Sequence, residues 1–362
     1  MSGTEISLMS NMINNYIQKV LDFLRERELE VSPTKSTVTL FTPDTKEANI
    51  HPEVKMDGLK VDLVKTPKLL GVFFDTMYTF SHHIKETVKK AKGKVNALKS
   101  LAGSAWGQDK ETLLITYKAV VRSTLEYGAP IWSPIISPTS WTRLQTVQNQ
   151  ALRTATGCLM MSSQHHLHRE CKVIPVREHS TLLTKQHTAS CYPTNSPGHK
   201  LMDLPPPQRQ LKLTHLQHLP EISDKFRGMT YKQVVKALHT ATVANTLASY
   251  PPNRVLQRRP PDISKEEKLL PRPVRSELAR LRSGFSRNLN SYMNQIDPSI
   301  ADTCPACNHT PQDINHLLNC SSKPTHLEPS ALWTNPKQSA LFLELLTEVK
   351  EEDVKEVDVD PG

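Results

Sequence analysis

The chain has 362 residues, 27 prolines against 12 glycines and a formal charge of +9, a length for two or three domains of about 150 residues each. Its longest apolar runs, such as Leu69 to Phe74, are far shorter than the roughly 18 to 20 residues that span a bilayer. Residues 1 to 15 lack the basic start, apolar stretch and small-residue cleavage site of a secretory signal, so an intracellular, non-secreted protein of nucleus or cytoplasm without a membrane partner is expected. The last 22 residues hold eight acidic side chains against Lys350 and Lys355, leaving the preceding chain at +15. Such a body suits phosphate backbones, or is kept soluble by its charge alone.

From Met9 to Leu29, apolar residues at Met9, Ile13, Tyr16, Ile17, Val20, Leu21 and Leu24 follow the period of an amphipathic helix. Ser36 to Phe41 alternates polar and apolar types, and Val54 to Met56 and Leu59 to Val61 flank Asp57-Gly58, a hairpin signal. Lys68 to Phe74 reads as one further strand. Three helices follow. The first has Ser81 as N-cap and a seam at Ile84, Val88, Ala91, Val95, Leu98 and Ala102; the second starts near Asp109, with Leu113, Tyr117, Val120, Val121 and Leu125 inward. The third starts at Ser137-Pro138, runs through Trp141, Leu144, Val147, Ala151 and Ala155, and stops at Gly157, which together with the short connections predicts a helical bundle. Beyond Tyr192, Pro205-Pro206-Pro207, Pro251-Pro252 and Pro260-Pro261 mark extended connectors. Further helices are expected at Tyr231 to Leu247, Arg275 to Leu281 and Ser339 to Val349, before an acidic, disordered tail.

The strongest chemical signal is Cys304-Pro305-Ala306-Cys307 followed by His316 and Cys320. Thiolates two residues apart occupy neighbouring corners of a tetrahedron, and a His/Cys pair one helical turn apart supplies the other two, so a closed structural zinc site is expected. A redox Cys-x-x-Cys is the alternative, although no strand-helix-strand pattern surrounds it. Lys85, Lys89, Lys92 and Lys99 share one helix face turned away from the apolar seam, either a phosphate-tracking stripe or a plain solvated face. His165, His166, His168 and Cys171 have no spacing that places all four on one face and read as ordinary core and surface residues. No Asp-Asp pair, P-loop, G-x-S-x-G or H-E-x-x-H occurs, so no complete catalytic centre can be nominated.

Four segments taken in order, Glu30-Val31-Ser32-Pro33-Thr34-Lys35-Ser36-Thr37, Pro67-Lys68-Leu69-Leu70-Gly71-Val72-Phe73-Phe74-Asp75, Glu126-Tyr127-Gly128-Ala129-Pro130-Ile131-Trp132 and Leu144-Gln145-x-x-Gln148-Asn149-x-Ala151-Leu152-Arg153, resemble the downstream half of non-LTR retrotransposon reverse transcriptases of the jockey-like kind. Leu278-Ala279-x-Leu281-Arg282-Ser283-Gly284 and the Cys/His stretch resemble the C-terminal end of the same polyproteins. The resemblance implies an α+β, mostly helical chain. The end of a polymerase palm would occupy residues 1–78, a helix with short antiparallel strands and a primer-gripping turn at Leu69, Leu70, Gly71 and Val72. A helical thumb and connection would cover 79–192, a proline-rich connector with a helix 193–273, a helix and CCHC zinc module 274–338, and a C-terminal helix with the acidic tail 339–362.

In that family, palm aspartates in an aromatic-Ala-Asp-Asp turn hold two magnesium ions for nucleotide addition. The resemblance implies a chain that begins just after that turn, so magnesium is expected only in an intact parent enzyme. Lys35 matches the lysine that helps protonate the leaving pyrophosphate, a general acid only in the intact enzyme and otherwise a surface lysine. The expected function is therefore that of a truncated RNA-directed DNA polymerase, inactive alone, that retains binding to RNA, an RNA/DNA hybrid or DNA. The rivals are a non-enzymatic zinc-binding adaptor and a decayed element product. Oligomeric state is not legible.

Overall fold

The computed structural model describes residues 5–42, 44–103, 107–191 and 228–346. The Pro205-Pro206-Pro207 connector and the chain after residue 346 lie outside the described residues. The described residues are mostly helical, with six two-residue strands in three separate pairs among them, an α+β composition. No described helix is long and apolar enough to cross a membrane.

Helix α1 (Ile6–Arg25) forms where the apolar period predicts one. Only Leu21 of the expected stripe is buried, whereas Tyr16 and Val20 face solvent. The pair β1 (Thr37–Val38) with β4 (Asp62–Leu63) is parallel, a departure from the expected antiparallel strands. The stretch 39–61 supplies the crossover that a parallel pair requires. Within that stretch lies the predicted hairpin of β2 (Lys55–Met56) and β3 (Leu59–Lys60), turned by Asp57 and Gly58 with φ of 49° and 76°. Two successive left-handed residues match the right-handed twist of the flanking strands.

Lys68 to Phe74 is not one strand. It folds back on itself as β5 (Lys68–Leu69) and β6 (Val72–Phe73), because Leu70 and Gly71 both take positive φ, 47° and 88°. Ser81 is not a cap: it is the first residue of α2 (Ser81–Ser100). The approach to α2 is fixed by Asp75, whose carboxylate accepts the Thr79 and Phe80 N–H groups at 2.8 and 2.5 Å. Along α2, Ile84, Ala91, Val95 and Leu98 are buried as the seam predicts.

Asp109 caps α3 (Lys110–Thr116), accepting the Thr112 N–H at 3.0 Å, where the sequence predicts the helix to start. The helix widens into a π turn over Tyr117–Arg122 and closes as α4 (Ser123–Leu125). Leu113, Tyr117, Val121 and Leu125 stand four apart and are all buried, a spacing that the wider turn keeps on one face. Val120, expected inward, faces out. After α5 (Ala129–Trp132), α6 (Pro138–Thr156) starts at the predicted Ser-Pro and ends at Gly157, φ 76°.

Helices α7 (Gln164–Cys171), α8 (Val176–Cys191), α9 (Tyr231–Ala248), α10 (Arg272–Ser283), α11 (Asn290–Ile296), α12 (Ile314–Leu318), α13 (Ala331–Thr334) and α14 (Pro336–Phe342) follow, with a 3-10 helix at Lys265–Leu269 before α10. Helix α14 differs from the expected Ser339 start because Asn335-Pro336 opens it earlier, proline being suited to a first helical turn.

The chain divides into two compact units, each discontinuous in sequence. One comprises Met1–Lys90, Glu126–Leu144 and Ser180–Leu238, and its interior includes Val72, Phe80, Ile84 and Trp132. The other comprises Ala91–Leu125, Gln145–His179 and His239–Gly362. One core in it joins Leu278, Leu281, Phe285, Leu289, Ile314 and Leu318 with Leu332 and Trp333.

Candidate functional site

Cys304, Cys307, His316 and Cys320 come together, with their ligand atoms all within 4.8 Å of one another. Backbone geometry brings the first two into position. The Cys304 N–H donates to the His309 carbonyl and the Asn308 N–H to the Cys304 carbonyl, both at 2.8 Å. Asn308 takes the left-handed conformation, φ 56°, that closes the loop. Asp313 caps α12 by accepting the His316 N–H at 2.8 Å. That short helix is anchored by Ile314 and Leu318 in the core, so the two ligands it orients are fixed by packing as well as by caps.

The Sγ atoms of Cys304 and Cys320 are 3.9 Å apart, those of Cys307 and Cys320 3.6 Å, and Cys307 Sγ lies 3.3 Å from His316 Nε2. Thiolates bonded at about 2.3 Å to one tetrahedral ion are about 3.8 Å apart, so these separations are compatible with a single bound metal. Burial opposes ionisation of the Cys304 thiol, but hydrogen bonds from the Ala306 N–H, from His316 and from the Cys307 N–H outweigh it and bring its pKa down to about 6. Cys307 moves the other way: the His309 N–H favours its thiolate, yet burial and the neighbouring Cys320 and Cys304 push it up. Several thiols crowded together cannot all ionise without a cation to offset them.

The other predicted residues lie elsewhere. Lys85, Lys89, Lys92 and Lys99 are all exposed along α2. Lys35 is exposed in a single 3-10 turn, Pro33–Lys35, just before β1. In the β5–β6 hairpin Leu69 and Leu70 are 62% and 85% exposed, while Val72 is buried. Tyr127 supports this turn, its Oη donating to the Leu70 carbonyl at 2.8 Å. A Cβ on Gly71 would sit 3.0 Å from the Tyr127 ring, and one on Gly128 would meet Val72 at 2.9 Å. Two sequence segments over fifty residues apart thus form one structure, and sequence reading did not assign Tyr127 or Gly128 any role.

A second constellation also escaped assignment. Arg282, fully buried, donates to Glu170 at 3.0 Å, to Glu267, and through Nε to the Leu332 carbonyl at 2.9 Å. Lys110 bridges Glu170 and Glu267 at 3.0 and 3.1 Å. Burial alone would raise Glu170, yet Lys110 and Arg282 hold it down at about 2. Two cations and two carboxylates therefore neutralise one another inside the unit. The only sequence trace was Arg282 itself, inside the Leu278 to Gly284 resemblance. Gln145 and Gln148 prove to be internal ties: Gln148 donates to Tyr117 Oη at 2.9 Å and the Ile174 carbonyl at 3.1 Å, and Gln145 meets His168 at 3.0 Å. His166 and His168 are buried core residues bonded to the Ala279 and Val173 carbonyls.

The chain is 24% identical over 176 residues to a Drosophila melanogaster protein described as a probable RNA-directed DNA polymerase from transposon BS, a match covering 49% of this chain and 19% of that protein. It is 26% identical over 164 residues, 45% of this chain and 18% of the other, to the probable RNA-directed DNA polymerase from transposon X-element of the same fly. The matched stretch thus spans about a fifth of these relatives. The resemblance to retrotransposon reverse transcriptases is borne out by both. No protein-family profile and no solved structure matches the chain.

Proposed function

We infer that the chain is the end of the palm, the thumb and the C-terminal zinc-bearing part of a jockey-like RNA-directed DNA polymerase, and that it binds RNA or an RNA/DNA hybrid. The observation that carries this is the coincidence of the transposon polymerase relatives with a four-donor Cys/His cluster in one basic chain. The α2 lysines meet the backbone of the duplex, and the exposed tip of the β5–β6 hairpin lies against the primer strand. Contacts of this kind follow the shape and phosphates of a hybrid rather than its bases. The metal is zinc, held by Cys304, Cys307, His316 and Cys320, and serves to fix the C-terminal fold.

Because the sequence has no Asp-Asp pair, this chain by itself does not position two magnesium ions and does not extend a primer. The test pairs two assays on the purified chain. Hybrid binding by fluorescence anisotropy is expected to weaken steeply with salt, and primer extension is expected to be absent. Salt-independent binding or measurable extension overturns the reading.

A further inference from the structure

A cavity of about 440 Å³ lies within the second unit and belongs neither to the metal centre nor to the α2 stripe. Five cationic side chains line it: Lys118, Arg122, Arg169, Lys172 and Arg259. Glu170 and Asp262 line it as well; Glu170 is matched by Arg282 and Lys110, and Arg122 has an interaction of its own. Asp262 reaches Lys172 at 3.3 Å, both being well exposed. The charge is built from three places in the sequence. Lys118 and Arg122 stand one turn apart, Arg169 and Lys172 lie at the end of α7, and Arg259 precedes the rigid Pro260-Pro261 segment.

Apolar side chains line the cavity as well. Val243 and Leu247 stand four residues apart on α9, after His239, and Ile263 joins them in the lining. Arg169 is held in place by donating to the Pro251 and Tyr250 carbonyls at 3.0 and 3.3 Å. Burial and Arg259 both disfavour its charge, and both guanidinium groups line the same cavity. Like charges gathered in a concave site, where field lines are focused, are best offset by an anion.

We propose that this cavity is a binding site for a phosphorylated ligand of nucleotide size, its phosphate among Lys118, Arg169 and Arg259 and its flat apolar body against Val243, Leu247 and Ile263. The volume falls in the range of small-molecule sites, and arginine pairs suit phosphate by bidentate donation. The inference does not depend on hybrid binding by α2. The phosphate has two possible sources, a free nucleotide or the 5′ end of a strand.

Isothermal titration of the full chain with AMP and with adenosine tests it. AMP is expected to bind and adenosine to bind at least tenfold more weakly. Lys118→Glu and Arg259→Glu, both at exposed positions outside the buried ion network and the metal centre, are each expected to weaken AMP at least tenfold with an unchanged thermal midpoint. Should either reversal disturb the fold, Arg259→Gln gives the same reading at smaller amplitude. Equal binding of AMP and adenosine, no binding of either, or AMP affinity unchanged in a folded charge variant overturns the proposal. Competition of AMP by a 5′-phosphorylated but not a 5′-hydroxyl oligonucleotide supports the site with a strand end as the source; AMP binding that neither displaces supports it with a free nucleotide. A chain neutralised along α2 that loses the hybrid yet keeps AMP separates this site from the nucleic-acid reading.

Discussion

Tyr127 holds the turn of the β5–β6 hairpin through one hydrogen bond, from its Oη to the Leu70 carbonyl at 2.8 Å, with its ring edge directly over Gly71. The bond fixes a peptide whose neighbours both have positive φ. Tyr127→Phe removes a partly exposed hydrogen bond and is expected to cost about 1 kcal/mol or less. Gly71→Ala both meets the ring and places a Cβ in the left-handed region, costing roughly 1 to 2 kcal/mol. Urea denaturation midpoints check the order, alanine at 71 being the worse of the two.

Removing the metal is expected to destabilise the second unit, because α12 carries His316 and also packs Ile314 and Leu318 into the core. Cys320→Ser should lower zinc content well below one ion per chain, and a chelator should lower the thermal midpoint of the parent chain but not of that variant. Zinc retained at one per chain after loss of Cys320 removes this residue from the ligand set.

Arg282 is the keystone of a closed ion network. Arg282→Ala leaves Glu170 and Glu267 buried with only Lys110 to offset them, and a half-broken buried network of this kind typically costs about 3 to 5 kcal/mol. Equilibrium unfolding in urea measures it, and a loss below about 1 kcal/mol would contradict the closed arrangement.

Two buried histidines set an acid limit. Burial, then Lys90 and His82, lower His83 to about 4; burial, with a smaller contribution from His165, lowers His168 to about 4 against the bond to the Val173 carbonyl. A histidine lowered in the folded state is protonated more readily when unfolded, so its stabilisation is complete above the unfolded value near 6.5 and is lost as pH falls toward 4. His168 alone is expected to account for about 3 kcal/mol of that loss. Stability measured between pH 7 and 4 should fall less steeply in His168→Gln.

Neutralising Lys85, Lys89, Lys92 and Lys99 together with glutamine should reduce hybrid affinity and flatten its logarithmic salt slope by about 3 to 4, since each phosphate contact contributes a little under one unit. An unchanged slope would place the nucleic acid elsewhere on the chain.

The sequence by itself determined the features whose physics is local. The Asp57-Gly58 turn, the Asp109 cap, the Ser137-Pro138 start and the Gly157 stop each depend on the conformational preference of one or two residues. All appear where those residues stand. The cysteine spacing likewise picked out four residues that come together in a group able to hold a metal, because residues so close in sequence have few ways to be apart.

Only tertiary structure decided what depends on distant partners. Two-residue strands are too short to show a period, so the residue pattern of Lys68 to Phe74 reads as one strand and only the resemblance implies a turn there; in the fold Tyr127 holds the reversal at Leu70 and Gly71. The π turn after α3 exposes Val120 because packing, rather than the 3.6-residue period, chose the inward face. Arg282, Glu170, Glu267 and Lys110 come from four separate segments, and charged residues read singly predict exposure. Their burial is a property of the assembled network, in which each charge is tolerated because the others are there.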